Sequence, residues 1–274
     1  MSDNKPSLAE GAVSKVPAVT LGFWIVKILA TTLGETGGDW VTMSLKLGYL
    51  VGSAIFTVIF VGLVFGQIRA AKLHPTLYWA TIVATTTLGT TLADFADRSL
   101  GIGYPGGVAI VSTLLVASLG IWRWSEGSVS VQSITTPKAE WFYWCTILFS
   151  QTLGTALGDW AAGSDRGGFG LGYEYGAMIF AAGLALVAAL YFWTEISHTV
   201  LFWAAFILTR PLGATLGDLL DKPVAQGGLH FSRLIASLIL LGCIVAAIAF
   251  IPQRAVKRGD TRPSQAQPRR KGST

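Results

Sequence analysis

Charge is scarce in this chain of 274 residues. Asp, Glu, Lys and Arg make up 13% of it against 52% hydrophobic residues, and the mean hydropathy is +0.56. A soluble globule carries about 25% charged residues, so the balance excludes the ordinary water-soluble classes and makes a bilayer the expected solvent. Cysteine is nearly absent. Cys145 and Cys243 make neither a disulfide framework nor a metal cluster by spacing, and both fall in apolar stretches, where packed core thiols are expected. The three histidines, His74, His198 and His230, form no ligand-spaced pair and lie in or beside loops. No nucleophile triad, phosphate-cradling glycine loop or zinc motif is present. Nothing in the sequence points to an enzyme, and no cofactor is expected.

Long apolar runs are what the chain has in quantity. Stretches long enough to cross roughly 30 Å of hydrocarbon at 1.5 Å per residue fall at 18–39, 49–67, 77–96, 105–123, 141–160, 174–193, 199–219 and 231–251. They predict an all-α, polytopic integral membrane protein of eight transmembrane helices. The segment 1–16 is polar, and the first run carries Lys27 and Glu35, unlike the short clean run of a cleavable signal peptide; this span is expected to stay in the mature protein. The membrane domain takes 17–252, and 253–274 reads as a disordered basic tail. That tail holds seven basic residues against Asp260, which more than accounts for the net charge of +5. The membrane part is near-neutral, so the basic pI is no argument for nucleic acid; the expected surroundings are lipid. Thirteen of the 20 Lys and Arg residues lie in the termini and the loops between repeats, and four lie in loops within repeats. The positive-inside rule then predicts cytoplasmic termini. Trp79, Trp122, Trp124, Trp141, Trp144, Trp193 and Trp203 sit near the same predicted span ends, with Trp40 and Trp160 at the opposite ones, and interfacial anchoring suffices to explain most of them.

The helices are repeated. Four segments share one pattern: Thr32-Leu33-Gly34-Glu35-Thr36-Gly37-Gly38-Asp39, Thr87-Leu88-Gly89-Thr90-Thr91-Leu92-Ala93-Asp94, Thr152-Leu153-Gly154-Thr155-Ala156-Leu157-Gly158-Asp159 and Pro211-Leu212-Gly213-Ala214-Thr215-Leu216-Gly217-Asp218. A tryptophan precedes each first glycine by ten residues: Trp24, Trp79, Trp144, Trp203. Each repeat (about 17–68, 73–124, 138–193 and 197–252) holds two spans and reads as a helical hairpin, so all four enter the membrane in parallel orientation and their pseudo-symmetry axis runs along the membrane normal. The first and third share Gly-Asp-Trp; the second and fourth add a further aspartate, Asp97 and Asp221. A four-helix unit, itself a doubled hairpin, has been duplicated.

Residues three and four apart share a helix face, which puts a polar stripe on every odd helix: Thr31, Glu35, Asp39; Thr86, Thr90, Asp94, Asp97; Gln151, Thr155, Asp159; and Arg210, Ala214, Asp218, Asp221. Beside it runs a stripe of small residues, Gly34 and Gly38, Gly89, Gly154 and Gly158, Gly213 and Gly217, expected to let helix backbones approach closely. Acids at membrane depth cost at least ~2.5 kcal/mol each and persist only where they face protein or a wet cavity. A carboxylate-lined cavity is therefore expected, with Asp39, Asp94, Asp97, Asp159, Asp218 and Asp221 near its mouth and Glu35 about one turn deeper. Lys27 and Arg210 are the counter-charges, either structural ion-pair members partnered from other helices by Glu35 or a neighbouring aspartate, or movable charges that compete with a transported cation for the carboxylates. Any single aspartate has the plainer alternative of pairing with Arg98 or Lys222 in a loop. Pro211 marks a candidate kink in the seventh helix.

The four tandem two-helix units, with their tryptophan and Thr-Leu-Gly-x-x-x-Gly-Asp type motif, resemble a family of bacterial integral membrane proteins defined by a four-fold repeat of unknown function. The resemblance spans residues 15–252, and segments such as 27–35 and 209–218 carry it. It implies an eight-helix protein of the bacterial inner membrane and brings no activity with it. Function is argued from the residues instead. Oxygen ligands without Cys or His suit hard cations such as Mn²⁺ or Mg²⁺, or protons. A transporter or exporter of a small cation is the expectation, with Glu35, Asp39, Asp94, Asp159 and Asp218 as candidate metal ligands. The alternatives are a membrane scaffold whose buried charges fix helix register, and a pore for a small polar solute. The sequence leaves the oligomeric state open.

Overall fold

The computed structural model describes residues 14–255; the basic tail beyond 255 and the first thirteen residues lie outside them. The described chain forms eight long helices: α1 (Leu21–Asp39), α2 (Gly48–Arg69), α3 (Pro75–Asp94), α4 (Gly103–Glu126), α5 (Pro137–Ala162), α6 (Gly172–Trp193), α7 (His198–Asp221) and α8 (Arg233–Phe250). Their starts carry ordinary signals. Thr20 and Thr136 accept hydrogen bonds from the amides of Phe23 and Ala139 at 3.4 and 3.2 Å, and Pro75 and Pro137 open α3 and α5, where the missing amide costs no intrahelical bond. α7 runs unbroken through Pro211.

The odd helices form a closed inner ring in which α1 packs on α3, α3 on α5, α5 on α7 and α7 back on α1. The even helices stand outside it, and here the hairpin expectation is corrected. α2 lies mainly against α3, α4 against α5, α6 against α7 and α8 against α1. Each repeat hands its second helix to the next repeat, and the fourth closes on the first. The π-type turns Trp40–Ser44 and Phe95–Ser99 and the loops that follow carry the chain past its own helix to the neighbour's flank.

Five helices, α2, α4, α6, α7 and α8, are long and apolar enough to cross a membrane. The other three are inner helices of 19, 20 and 26 residues, long enough to span but rich in buried threonine. Thr86 donates to the Ala30 carbonyl, Thr90 to that of Gly34 and Thr31 to that of Thr209, at 3.1, 3.2 and 3.1 Å. These bonds tie adjacent inner helices together where hydrophobic attraction between helices is weak.

The motif glycines set the spacing in a cyclic pattern. A Cβ on Gly34 would overlap Thr86, one on Gly89 would stand 2.9 Å from the backbone of Gln151 and Thr152, one on Gly154 would overlap Arg210, and one on Gly213 would overlap Thr31. Each first glycine thus receives the residue three positions before the first glycine of the next helix around the ring. The same rotation recurs one turn on, where Gly38 meets Thr90, Gly158 meets Ala214 and Gly217 meets Glu35.

The bundle therefore has two unlike ends. Where α1, α3, α5 and α7 begin, Phe23, Tyr78, Trp79, Tyr143, Trp144, Phe202 and Trp203 make an aromatic plug, with a 2.6 Å hydrogen bond between the Tyr78 and Tyr143 hydroxyls. Trp79, Trp122, Trp144 and Trp203 are buried in it. They are core residues, which corrects the anchoring expectation: Trp79, Trp144 and Trp203 lie on the inward face of inner helices, and Trp122 reaches in from α4 to pack against Tyr143 and Trp203; Trp124 and Trp193 do stand outside, 88% and 83% exposed. The expected core thiols are corrected too, since Cys145 and Cys243 lie on the outer surface. Residues 14–16 close over the plug: the Ser14 hydroxyl donates to the Val131 carbonyl at 2.7 Å, and Lys15 pairs with Glu140 at 2.7 Å. The three histidines are exposed, as their loop positions predict.

A charged vestibule above an arginine–glutamate seal

Counted from the first motif glycine, the inner-ring residues fall into layers. Five positions on is the aspartate layer Asp39, Asp94, Asp159 and Asp218, and one position on is Glu35, Thr90, Thr155 and Ala214. Three positions back come Thr31, Thr86, Gln151 and Arg210; seven back come Lys27, Ile82, Ile147 and Phe206. All of these side chains are buried.

The loops within all four repeats gather at the aspartate end around a cavity of about 580 Å³, lined by Arg98, Tyr104, Asp159, Arg166, Tyr173, Asp218, Lys222 and Arg233 among others. The charges below it are paired with a two-fold relation. Arg98 bridges Asp94 on its own helix, at 2.7 Å, and Asp159 on α5, at 3.4 Å. Lys222, just past the end of α7, bridges Asp218 four residues back, at 2.9 Å, and Asp39 on α1. Repeats one and two thus correspond to three and four, as the sequence duplication predicts. Asp221 pairs with Arg233 at 3.1 Å, while its counterpart Asp97 has no hydrogen-bond partner on either oxygen among the described residues and lies against the backbone of Gly107 on α4. Burial pushes the Asp97 carboxyl up to about 7, with Asp159 adding to the rise and Arg98 and Arg166 opposing it. Burial also works against the Lys222 ammonium, but Asp218, Asp39 and Asp221 outweigh it and hold the group charged well above its ordinary range.

Beneath the aspartates the axis is sealed. The Arg210 guanidinium lies fully buried. It donates to Glu35 Oε2 at 3.0 Å, to the Thr155 hydroxyl at 2.6 Å and to the Thr90 hydroxyl, and reaches the Thr31 and Thr86 carbonyls at 3.4 Å. One side chain from α7 thereby binds α1, α3 and α5. Seven acids were singled out in the sequence; the structure brings Glu35, Asp39 and Asp218 together, with one oxygen of each within 4.8 Å of the others and all three buried. Asp94 and Asp159, expected in the same ligand set, belong instead to the Arg98 pair.

Lys27 corrects another expectation. It is fully buried, yet among the described residues neither Glu35 nor an aspartate reaches it; its Nζ has no hydrogen-bond partner there and stands 4.2 Å above the Phe206 ring. Arg210 already occupies Glu35, and the rest of Lys27's own layer is apolar. Arg233 was missed as a site residue. Its signal was its place as the first residue of α8, whose packing on α1 brings it within 3.8 Å of Asp39.

Comparison with known proteins finds one family. The model described as Repeat of Unknown Function (DUF347) matches residues 22–72, 77–128, 142–197 and 201–253, one match for each two-helix unit. No curated protein and no solved structure matches the chain.

Proposed function

This chain belongs to the Repeat of Unknown Function (DUF347) family, and from that premise we propose that it is a transporter of a small hard cation in the bacterial inner membrane, with both termini cytoplasmic. The observation that carries the proposal is the buried carboxylate triad Glu35, Asp39 and Asp218 at the foot of a vestibule open to the loop end. Oxygens at that spacing suit a divalent ion with bonds of roughly 2.1–2.6 Å. Six aspartates, Asp39, Asp94, Asp97, Asp159, Asp218 and Asp221, face the four cations Arg98, Arg166, Lys222 and Arg233 among the described residues of this region, and an excess of one sign in a low-dielectric cleft concentrates the opposite ion. The cation would pass from vestibule to triad and then beyond Arg210 and the aromatic plug, both of which have to part. The work is passage, with no bond made or broken. Mn²⁺ and Mg²⁺ are the first ions to try, and proton coupling would act through the same carboxylates.

The test is flux into liposomes holding the purified protein, against a panel of mono- and divalent cations, beside Glu35→Gln and Asp218→Asn. Cation-specific flux that both variants lose supports the proposal. The same null flux from all three, with intact protein, favours a membrane scaffold, a reading supported by the resident partners that Arg98, Arg210 and Lys222 give the acids. Flux of neutral solutes alone would favour a pore. Cysteines placed at Ser44, Ser99, Ser164 and Gln226 test the orientation: all four should label from the periplasmic side.

A further inference from the structure

We propose that Lys222 is a tethered competitor for the Glu35–Asp39–Asp218 subsite, so that a divalent cation binds there only by displacing the lysine ammonium into the vestibule. The inference rests on the cation reading above and adds which of the two symmetry-related charge clusters takes the ion, and what holds it closed.

The two clusters differ in three ways. First, beyond the aspartates the two clusters share by symmetry, with Asp97 near Arg98 and Asp221 3.9 Å from Lys222, the Lys222 cluster has a further carboxylate. Glu35 stands one turn below Asp39, whereas the corresponding position beneath Asp159 is Thr155. Second, the resident cations differ in kind. Arg98 spreads a planar fork over Asp94, Asp159 and the Tyr49 hydroxyl, the last at 3.4 Å, and its guanidinium lies over the Tyr49 ring at 5.9 Å; a group so held is a structural tie. Lys222 offers a compact point charge on a flexible stem, the same electrostatic object as a small hard cation, placed between Asp39 and Asp218. Third, the unused ligand capacity of the Lys222 cluster lies on an acid of the triad itself: Asp39 is fully buried and its Oδ1 has no hydrogen-bond partner among the described residues, whereas the unpaired acid beside Arg98 is Asp97, set outside the ring against Gly107. A buried carboxylate oxygen left unpaired is costly unless something is to bind it.

Displacement is sterically direct. Lys222 is the first residue after α7 and lines the cavity together with Asp218, so a rotation of its side chain moves the ammonium from the carboxylates into open space. Its backbone need not move, held as it is by the bonds from the Lys222 amide to the Asp218 carbonyl and from the His230 amide to the Lys222 carbonyl, both at 2.9 Å. A divalent ion carries twice the charge and coordinates all three acids at once, which the ammonium does not.

The experiment measures Mn²⁺ binding to the purified full chain by calorimetry and by the Mn²⁺-induced rise in Tm, for the natural protein, Lys222→Gln and Arg98→Gln. Lys222→Gln should bind Mn²⁺ at least tenfold more tightly than the natural protein, while Arg98→Gln should gain nothing. If the natural protein binds Mn²⁺ and Lys222→Gln binds no better, or Arg98→Gln gains as much, the competitor proposal falls and the cation reading stands. If neither the natural protein nor Lys222→Gln binds any cation of the panel, both fall. A second measurement needs no variant. Acylation of lysines followed by mass spectrometry should show Lys222 becoming several-fold more reactive when Mn²⁺ is added, with exposed Lys72 unchanged; bound Mn²⁺ with no rise at Lys222 would overturn displacement.

Discussion

The inner and outer rings invert the rule by which soluble proteins are read. In α7 the most apolar 18-residue window is 67% buried within the protein, whereas those of α2, α4, α6 and α8 are only 11–22% buried, and the outer helices are the more hydrophobic. The reason is the solvent. Lipid accepts apolar side chains at no cost, so what must be hidden inside is everything hydrocarbon cannot solvate: threonine hydroxyls, carboxylates, the guanidinium of Arg210 and the amino group of Lys27. Burial in this molecule tracks polarity and closeness of approach, and the two rings should answer differently to the same substitution.

The largest contrast is expected at glycine. Gly154→Leu forces a side chain into space filled by Arg210, and Gly34→Leu does the same to Thr86; both should abolish monodisperse, folded protein on size exclusion in detergent. Gly62→Leu, Gly120→Leu and Gly242→Leu add the same atoms on the outer ring, where a Cβ meets nothing within 4 Å, and should stay within about 0.5 kcal/mol of the natural protein. Equal damage at both sets would mean that the two rings do not differ in packing.

Next comes the seal. Arg210→Met strands the Glu35 carboxylate and removes the donor that holds Thr90 and Thr155, and breaking one side of a buried pair costs about 3–5 kcal/mol. Adding Glu35→Gln to it should restore much of that loss, because the stranded charge is gone. Thermal unfolding of the two single variants and the double variant measures the coupling directly. A double variant as unstable as Arg210→Met would show that the guanidinium acts through its helix contacts and not through Glu35.

Much of this contrast was legible beforehand, and the register of the motif is why. Positions ten and seven before the first glycine, three before it, and one and five after it lie three and four residues apart, so Trp24, Lys27, Thr31, Glu35 and Asp39 share one face of α1. The same arithmetic marks Trp79, Trp144 and Trp203 as facing inward. A tryptophan near a span end satisfies both a headgroup belt and a core, and only its register with the polar stripe tells the two apart. Ring closure was not legible, because periodicity says which face of a helix is buried but not against which neighbour. The exchange of second helices, and with it the reach of Arg98 to Asp159 and of Lys222 to Asp39, needs three-dimensional information. So does Lys27, whose charge suggests a partner that Arg210 has already taken.

A smaller effect with a definite sign is expected at the edge of the vestibule. Asp97 has its carboxyl raised from 3.8 to about 7, so the folded state holds a proton there that the unfolded state releases. Stability from this group is lost as pH rises from about 4 to about 7 and stays lost above. Asp97→Asn, neutral at every pH, should therefore raise Tm most at pH 8, with a gain that shrinks steadily as pH falls from 7 toward 4. Asp221→Asn is the comparison across the two-fold relation: it breaks the Arg233 pair that Asp97 has no counterpart of, so any rise in Tm at pH 8 should be smaller than that of Asp97→Asn.

The smallest contrast lies at the closed end, between an aromatic side chain inside the plug and one outside it. Tyr78→Phe deletes one hydroxyl and leaves that of Tyr143 buried without its 2.6 Å partner, a loss of about 1–3 kcal/mol when a buried polar group goes unsatisfied. The double change with Tyr143→Phe removes both hydroxyls and keeps the ring packing, so it should recover most of that loss. Trp193→Phe on the outer surface, 83% exposed, trades one lipid-compatible ring for another and should leave Tm unchanged. The informative quantity is the double variant. Recovery to near the natural Tm means the plug is held by ring packing, with the hydroxyl pair merely satisfied within it. A further loss in the double variant would mean the hydrogen bond itself fastens α3 to α5, and any opening of that end, which the proposed cation passage requires, would have to break it.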